Sequence, residues 1–249
     1  MRSLAVLMFV ALLAGCVTET SGPQMMKAAS PEKQLQTLVD LGIGYIRNGE
    51  YSRAKDNLSR ALTIDPNSAR VHNAFGLVYQ LEGEVKLADI HFRRAVADRS
   101  YTRAFNNYGA FLFAQGRYQE AIEQLSVAAN DQFYQNRAQV YENLGVAYAQ
   151  LGDMQNAEES YVRSTQLNPS QGRALLEISD IRYDQKNYVE ARDYYRRYVS
   201  SSSQSARSLW LCVRLARVFE DDNNEASCSL TLRNIFPASD EAKMLEASL

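Results

Sequence analysis

From about residue 35 onward, apolar and small residues recur in a comb with fixed offsets. A bulky apolar residue precedes a glycine at Leu41-Gly42, Phe75-Gly76, Tyr108-Gly109 and Leu144-Gly145, and a second large residue follows three places later at Tyr45, Tyr79, Leu112 and Tyr148. These glycines are 34, 33 and 36 residues apart. Seven residues beyond each stands another glycine, at 49, 83, 116 and 152, and five further on an alanine, at 54, 88, 121 and 157. Leu58, Phe92, Leu125 and Tyr161 follow, and each copy closes on Ala61, Ala95, Ala128 or Ser164. Apolar spacing of three and four within a copy predicts amphipathic helices, and the interior glycine predicts a tight turn between two of them.

Antiparallel helices approach closely only where small side chains sit at the crossing, so Gly42 is predicted to face Ala54, with Tyr45 and Leu58 filling the flanks. A mid-helix glycine costs ~1 kcal/mol, which that close packing must offset. Pro66 in "IDP" and Pro169 in "LNP" end second helices, because proline cannot continue the ladder. Two weaker copies follow. Ser179 and Ala191 take the glycine and alanine places of a fifth. In a sixth, Ala226, Leu230 and Arg233 keep the second-helix spacing behind a turn at 221–224, Phe236-Pro237 closes it, and Ser200 to Ser203 form the preceding loop. The comb resembles the tetratricopeptide pattern. That resemblance implies an all-α, right-handed α-α superhelix of about six repeats, near 35–68, 69–101, 102–137, 138–171, 172–205 and 206–239. Degenerate terminal copies suit the more polar ends of a solenoid. Residues from about 240 are expected to form a capping helix, and capped ends imply a monomer.

The first thirty residues follow another rule. The apolar run from Leu4 to Ala14 has eleven residues, about half of what a ~30 Å hydrocarbon core requires. Arg2 before it and small residues after it make residues 1–15 a signal peptide. Leu13-Ala14-Gly15-Cys16 resembles the bacterial lipobox, in which the cysteine is lipidated and becomes the new amino terminus. Two or more acyl chains hold stably where one does not, so Cys16 is the expected membrane anchor, and the absence of aspartate at Val17 favours the outer membrane. Residues 16–31, polar with Pro23 and Pro31, read as a flexible tether reaching roughly 20 Å. The repeat domain then occupies 32–249.

Composition narrows the function. Lys plus Arg number 27 against 29 Asp plus Glu, so no basic field exists to hold nucleic acid. His72 and His91 lie in no metal or triad spacing and read as packing or surface residues. No Gly-rich phosphate loop occurs. No cofactor, metal or catalytic residue is expected, and the chain reads as a non-enzyme. Beyond Cys16 remain Cys212 and Cys228, which in an oxidising compartment either bridge or rest as two buried thiols.

Binding remains. First helices line the concave face of such a superhelix, so residues two before and one after each glycine should face a groove: Asp40 and Ile43, Ala74 and Leu77, Asn107 and Ala110, Asn143 and Val146, with Ile46 and Asn73 nearby. Asn107 and Asn143, one repeat apart, suit the main chain of an extended peptide; equally, they satisfy local backbone or water. Ile43 and Ile46 form an apolar strip fit for a partner, unless residues 31–39 cover it.

The chain resembles the tetratricopeptide outer-membrane lipoproteins of type IV pilus biogenesis, the pilotins of the pilus secretin. The residues that carry this are the lipobox at Cys16, "YSRAKDNLSRAL", "NNYGAFLFAQGRY" at 106–118, "SLWL" at 208–211 and "FPASDE" at 236–241. Relatives often carry cysteines where this chain has Phe113 and Ala147, so a bridge between the third and fourth repeats is absent here. The resemblance implies a lipid-anchored protein on the periplasmic face of the outer membrane that binds a secretin subunit and promotes its localisation and multimerisation. The rival reading is a lipoprotein adaptor that recruits periplasmic cell-wall enzymes.

Overall fold

The computed structural model describes residues 30–248. The signal-peptide, lipidation and tether readings, Cys16 among them, lie outside the described residues apart from the last two tether positions. There Ser30 accepts a hydrogen bond from the Lys33 amide and Pro31 already opens the first helix, so helix begins one residue before Glu32.

Thirteen helices and no strand occupy the described residues. They run in antiparallel pairs: α1 (Pro31–Arg47) with α2 (Tyr51–Ile64), α3 (Ala69–Leu81) with α4 (Val85–Ala95), and α5 (Thr102–Ala114) with α6 (Tyr118–Asn130). Then come α7 (Arg137–Gln150) with α8 (Met154–Leu167), α9 (Gly172–Asp184) with α10 (Tyr188–Ser201), α11 (Ala206–Val218) with α12 (Asp222–Ile235), and a final α13 (Asp240–Ala247). Ser200 and Ser201, expected in a loop, extend α10 by half a turn.

The turn inside each pair has one chemistry. At Gly152 the backbone enters the left-handed region with φ +78°, where glycine meets no Cβ penalty. The Gly152 and Asp153 amides close the end of α7 on the Ala149 and Tyr148 carbonyls at 3.0 Å. Asp153 then caps α8 by accepting from the Asn156 amide. Lys186 (φ 62°) and Glu220 (φ 54°) hold the same position in the last two pairs, at a cost of about 1 kcal/mol each.

Pairs close where the comb places its small residues, with one correction. The atom nearest a Cβ built on Gly42 belongs to Leu58, at 2.8 Å, and not to Ala54. Gly76 meets Phe92, Gly109 meets Leu125 and Gly145 meets Tyr161 in the same way, at 2.5–2.7 Å. Each glycine therefore makes room for the large residue sixteen places on, while the alanine twelve places on is fully buried beside it. In the fifth pair Ser179 replaces glycine, and its hydroxyl donates to the Ala191 carbonyl at 2.7 Å.

The sixth pair departs from the expected register. Ala226, Leu230 and Arg233 are exposed, Leu230 by 60%; Cys228, Ser229 and Leu232 face the core instead. The turn sits at Glu220, ahead of the expected 221–224, and places Val213 where the other pairs have glycine. Without a small residue to mark the crossing, the alternative spacing could not be separated from the true one along the chain. Cys212 and Cys228 hold the positions that Phe75 and His91 hold in the second pair. They are joined by a disulfide with Cα atoms 6.2 Å apart.

Successive first helices touch: α1 with α3, α3 with α5, α5 with α7, α7 with α9, and α9 with α11. Among the described residues no two second helices do. The stack therefore bends with its first helices on the inside. The helix α13 packs on α11 and α12 through Ala242 and Leu245, filling the place of a further first helix.

Candidate functional site

The inner face is built from the six first helices, and a polar ladder runs along it. Arg70 of α3 donates to Gln36 of α1. Asn107 of α5 donates to Asn73 of α3 at 2.9 Å, and Asn143 of α7 donates to Asn106 of α5 at 3.4 Å. Gln171, capping α9, donates to Gln139 at 3.1 Å, while the buried Glu142 accepts from the Ala174 amide at 3.2 Å. Between α9 and α11 the rung is ionic: Arg207 grips Glu177 and Asp180, and Arg214 reaches Asp180 at 2.6 Å. Burial raises the Asp180 carboxyl pKa, and the two guanidiniums oppose that rise. Every neighbouring pair of first helices thus has a polar tie, which satisfies groups that the inner curve partly desolvates.

The ladder changes the role of several groove residues. Asn73 is 3% exposed, with its carbonyl oxygen engaged by Asn107, so it does not present its amide to a groove. Ala74 and Val146 are buried between helices rather than facing a groove. Asn107 and Asn143 are half-buried and joined to their own neighbours, not to each other: Asn107 donates to Asn73, and Asn143 donates to Asn106 and accepts from Gln139 of its own helix at 3.2 Å. Leu77 packs half-buried against the Phe92 cluster, and Ala110 is exposed on α5. Ile43 and Ile46 are half-buried against the core of the first pair.

Ile43 also lines a cleft of about 420 Å³ on the inner face, with Val39 and Asp40 from α1, Arg70 from α3, and Tyr101, Phe133 and Tyr134 from the loops around α5 and α6. A second cleft of about 370 Å³ shares Gln36, Val39, Arg70 and Tyr101 and extends the trough toward Glu32 and Leu35. Phe133 is 95% exposed. The loop that carries it is fixed by Asp131, which accepts from the Thr102 hydroxyl at 2.5 Å and the Phe133 amide at 3.0 Å; both bonds hold its carboxyl pKa down. The Tyr134 hydroxyl is buried without a hydrogen-bond partner among the described residues. Val39, Ile43 and the solvent-standing Phe133, set among Asp40, Arg70 and Arg103, suit a peptide carrying both apolar and polar groups. The aromatics of this trough escaped the sequence reading because they lie outside the helical period. Their one signal was the pair in "DQFYQ", off the comb and between helices.

The histidines form a pair. His72 Nε2 lies 2.9 Å from the Pro66 carbonyl and must donate to it, which leaves Nδ1 to accept from His91 Nδ1 at 3.1 Å. Burial lowers both imidazoles, and His72 and Arg94 help to drive His91 down to about 4. Phe75 and Tyr79 pack around His91 with their rings tilted to the imidazole. Nothing reactive adjoins the pair. No group of three or more His, Cys, Asp or Glu that could hold a metal occurs among the described residues, and no helix there is long and apolar enough to cross a membrane.

Comparison with known proteins gives the arrangement its context. Tetratricopeptide-repeat families match residues 100–170 and 142–206. The type IV pilus assembly protein PilF of Pseudomonas aeruginosa is 39% identical over 247 residues, covering 99% of this chain and 98% of that protein. A solved structure of Pseudomonas aeruginosa PilF superposes with a TM-score of 0.85 at 40% identity, over 89% of this chain and all of that one. PilW, described as a widely conserved type IV pilus biogenesis factor, shares the fold, with a TM-score of 0.70 at 23% identity over 85% of this chain and 97% of that one.

Proposed function

Because the chain belongs to the family of the type IV pilus assembly protein PilF, whose members are tetratricopeptide-repeat proteins and not enzymes, we propose that it acts in pilus assembly as a pilotin. In this reading Cys16 carries the acyl chains, residues 16–31 are the tether, and 32–249 form the receptor. The receptor binds a secretin subunit, holds it at the periplasmic face of the outer membrane and promotes ring assembly. Tethering to a plane raises the effective concentration of subunits and favours their association without any new contact.

The observation that carries this reading is the 39% identity running along 99% of the chain. The trough beside Ile43 and Phe133 supports it, since it lies at the α1 end, next to the tether. Of the groove residues, Ile43 faces the trough, Asn107 and Asn143 brace the inner face through their ties to the preceding first helix, and Ile46, Leu77 and Ala110 lie outside the trough lining.

The test is affinity capture from membranes, in the full chain and two variants. The wild type should recover secretin subunits; recovery of cell-wall hydrolases or synthases instead would establish the adaptor reading. Phe133→Ser should lose the subunit while staying on the membrane. Cys16→Ala should release the protein from the membrane, with secretin rings failing to accumulate in the outer membrane. Rings and attachment that both survive Cys16→Ala refute the anchor.

A further inference from the structure

A second recess lies at the other end of the stack, bounded by α10, α11 and the first turn of α12. It encloses about 410 Å³. Arg192, Arg196 and Val199 form one stripe on α10, and Cys212, Leu215 and Phe219 form another on α11, each spaced to keep one helix face toward the recess. The corresponding recess between the third and fourth pairs is mixed, with Tyr141, Leu144 and Val162 beside Asn130, Asn156, Glu159, Arg163 and Gln166. The one at the sixth pair has an apolar wall, and Val199 on its rim is 41% exposed.

Its charges are also unbalanced. The Arg192 guanidinium lies 3.7 Å over the Phe219 ring, and its Nε is buried with no hydrogen-bond partner among the described residues. The Nε atoms of Arg182 and Arg214 are likewise buried without a hydrogen bond, but these side chains reach acceptors through their other nitrogens, Glu158 and Asp180, as Arg117 reaches Asp89, Arg137 the Ala129 carbonyl and Arg217 Glu225. Arg196, one turn on, touches only Asp193, at 3.9 Å and in solvent. The nearby Asp221 attracts Arg192 through space, but its hydrogen bonds go to Asn224, capping α12. A partly desolvated cation stacked on an aromatic ring, with no anion hydrogen-bonded to it and with two arginines against one aspartate in the lining, is matched by a carboxylate brought from outside.

We propose that this recess is a second docking surface, independent of the trough beside Ile43, and that it takes an acidic amphipathic peptide segment of a protein partner. Apolar side chains of the segment cover Val199, Leu215 and Phe219. A carboxylate one turn or two residues away forks onto Arg192, with Arg196 steering its approach. The protein then holds two partners, or two segments of one, at opposite ends of its stack.

The test is fluorescence anisotropy of the purified full chain with synthetic labelled peptides of leucine and glutamate, one set in helical and one in alternating pattern, beside matched peptides with lysine for glutamate. At least one leucine–glutamate peptide should bind saturably, and its lysine counterpart about tenfold or more weaker. Arg192→Gln and Val199→Asp should each weaken binding by about tenfold, with the thermal midpoint and secretin capture unchanged, whereas Phe133→Ser should leave it intact. The proposal is overturned if no leucine–glutamate peptide saturates, if lysine peptides bind equally, or if both recess variants bind like wild type. Self-association abolished by Val199→Asp, or Arg192-dependent binding to phosphatidylglycerol vesicles in place of peptide, overturns it as well.

Discussion

At Gly145 a methyl group would stand 2.5 Å from the Tyr161 ring, whereas at Gly44, in the same helical conformation, nothing lies within 4 Å. The two glycines share a helical backbone and are opposite in consequence. Gly145→Ala should lower stability by about 1–3 kcal/mol through overpacking, and Gly44→Ala should raise it by up to about 1 kcal/mol through helix propensity; urea unfolding of both variants checks the signs. The histidine pair supplies a residue-scale pH dependence. Burial depresses both pKa values, so below about 6.5 the unfolded chain takes up protons that the folded pair refuses, and stability is lost as pH falls toward about 4. His91→Gln should flatten that part of the curve relative to wild type. In nuclear magnetic resonance titration His91 should show a midpoint near 4; a midpoint near 6.5 would contradict the buried pair.

At the scale of helices, each pair is held by its apolar comb, and neighbouring pairs are held in part by polar ties on the inner face. The tie between α9 and α11 is the most charged. Asp180→Ala would leave Arg207 with Glu177 and Arg214 with the more distant Asp184 at 3.8 Å, and the two arginine side chains are 44% and 23% exposed. Solvent reaching these partners reduces the loss from that of a fully buried pair to about 2 kcal/mol. Hydrogen exchange should quicken in α9 to α13 and stay unchanged in α1 to α4, because a stacked array transmits strain to its neighbours first. The combs were readable because small and large residues recur at helical spacing. The ties were not, because Asn73 and Asn107, or Asp180 and Arg214, come together only when two pairs stack.

For the molecule as a whole, stability is distributed along the stack and is not pooled in one core. The sole tryptophan of the chain, Trp210, packs against the last apolar cluster and so reports on that end alone. The Cys212–Cys228 disulfide joins residues 16 apart, and a loop of that size is worth about 3 kcal/mol in the chain-entropy account. Reduction should therefore shift the tryptophan fluorescence midpoint in urea below the helix midpoint seen by circular dichroism, while the oxidised protein keeps the two close. Coincident midpoints after reduction would mean that the stack unfolds as one unit. The sequence by itself determined the helical pairs and, in the first five, their turns and the small residue at each crossing, because each is a local consequence of spacing, glycine and proline. Its charge balance and unclustered histidines also directed attention away from catalysis and toward binding. Only the tertiary structure decided which asparagines are spent on ties, that Phe133 stands in solvent beside Ile43, and that the last pair runs in another register. These depend on how elements stack and curve, from 34 residues apart at Asn73 and Asn107 to 90 at Ile43 and Phe133, which no single window of the chain contains.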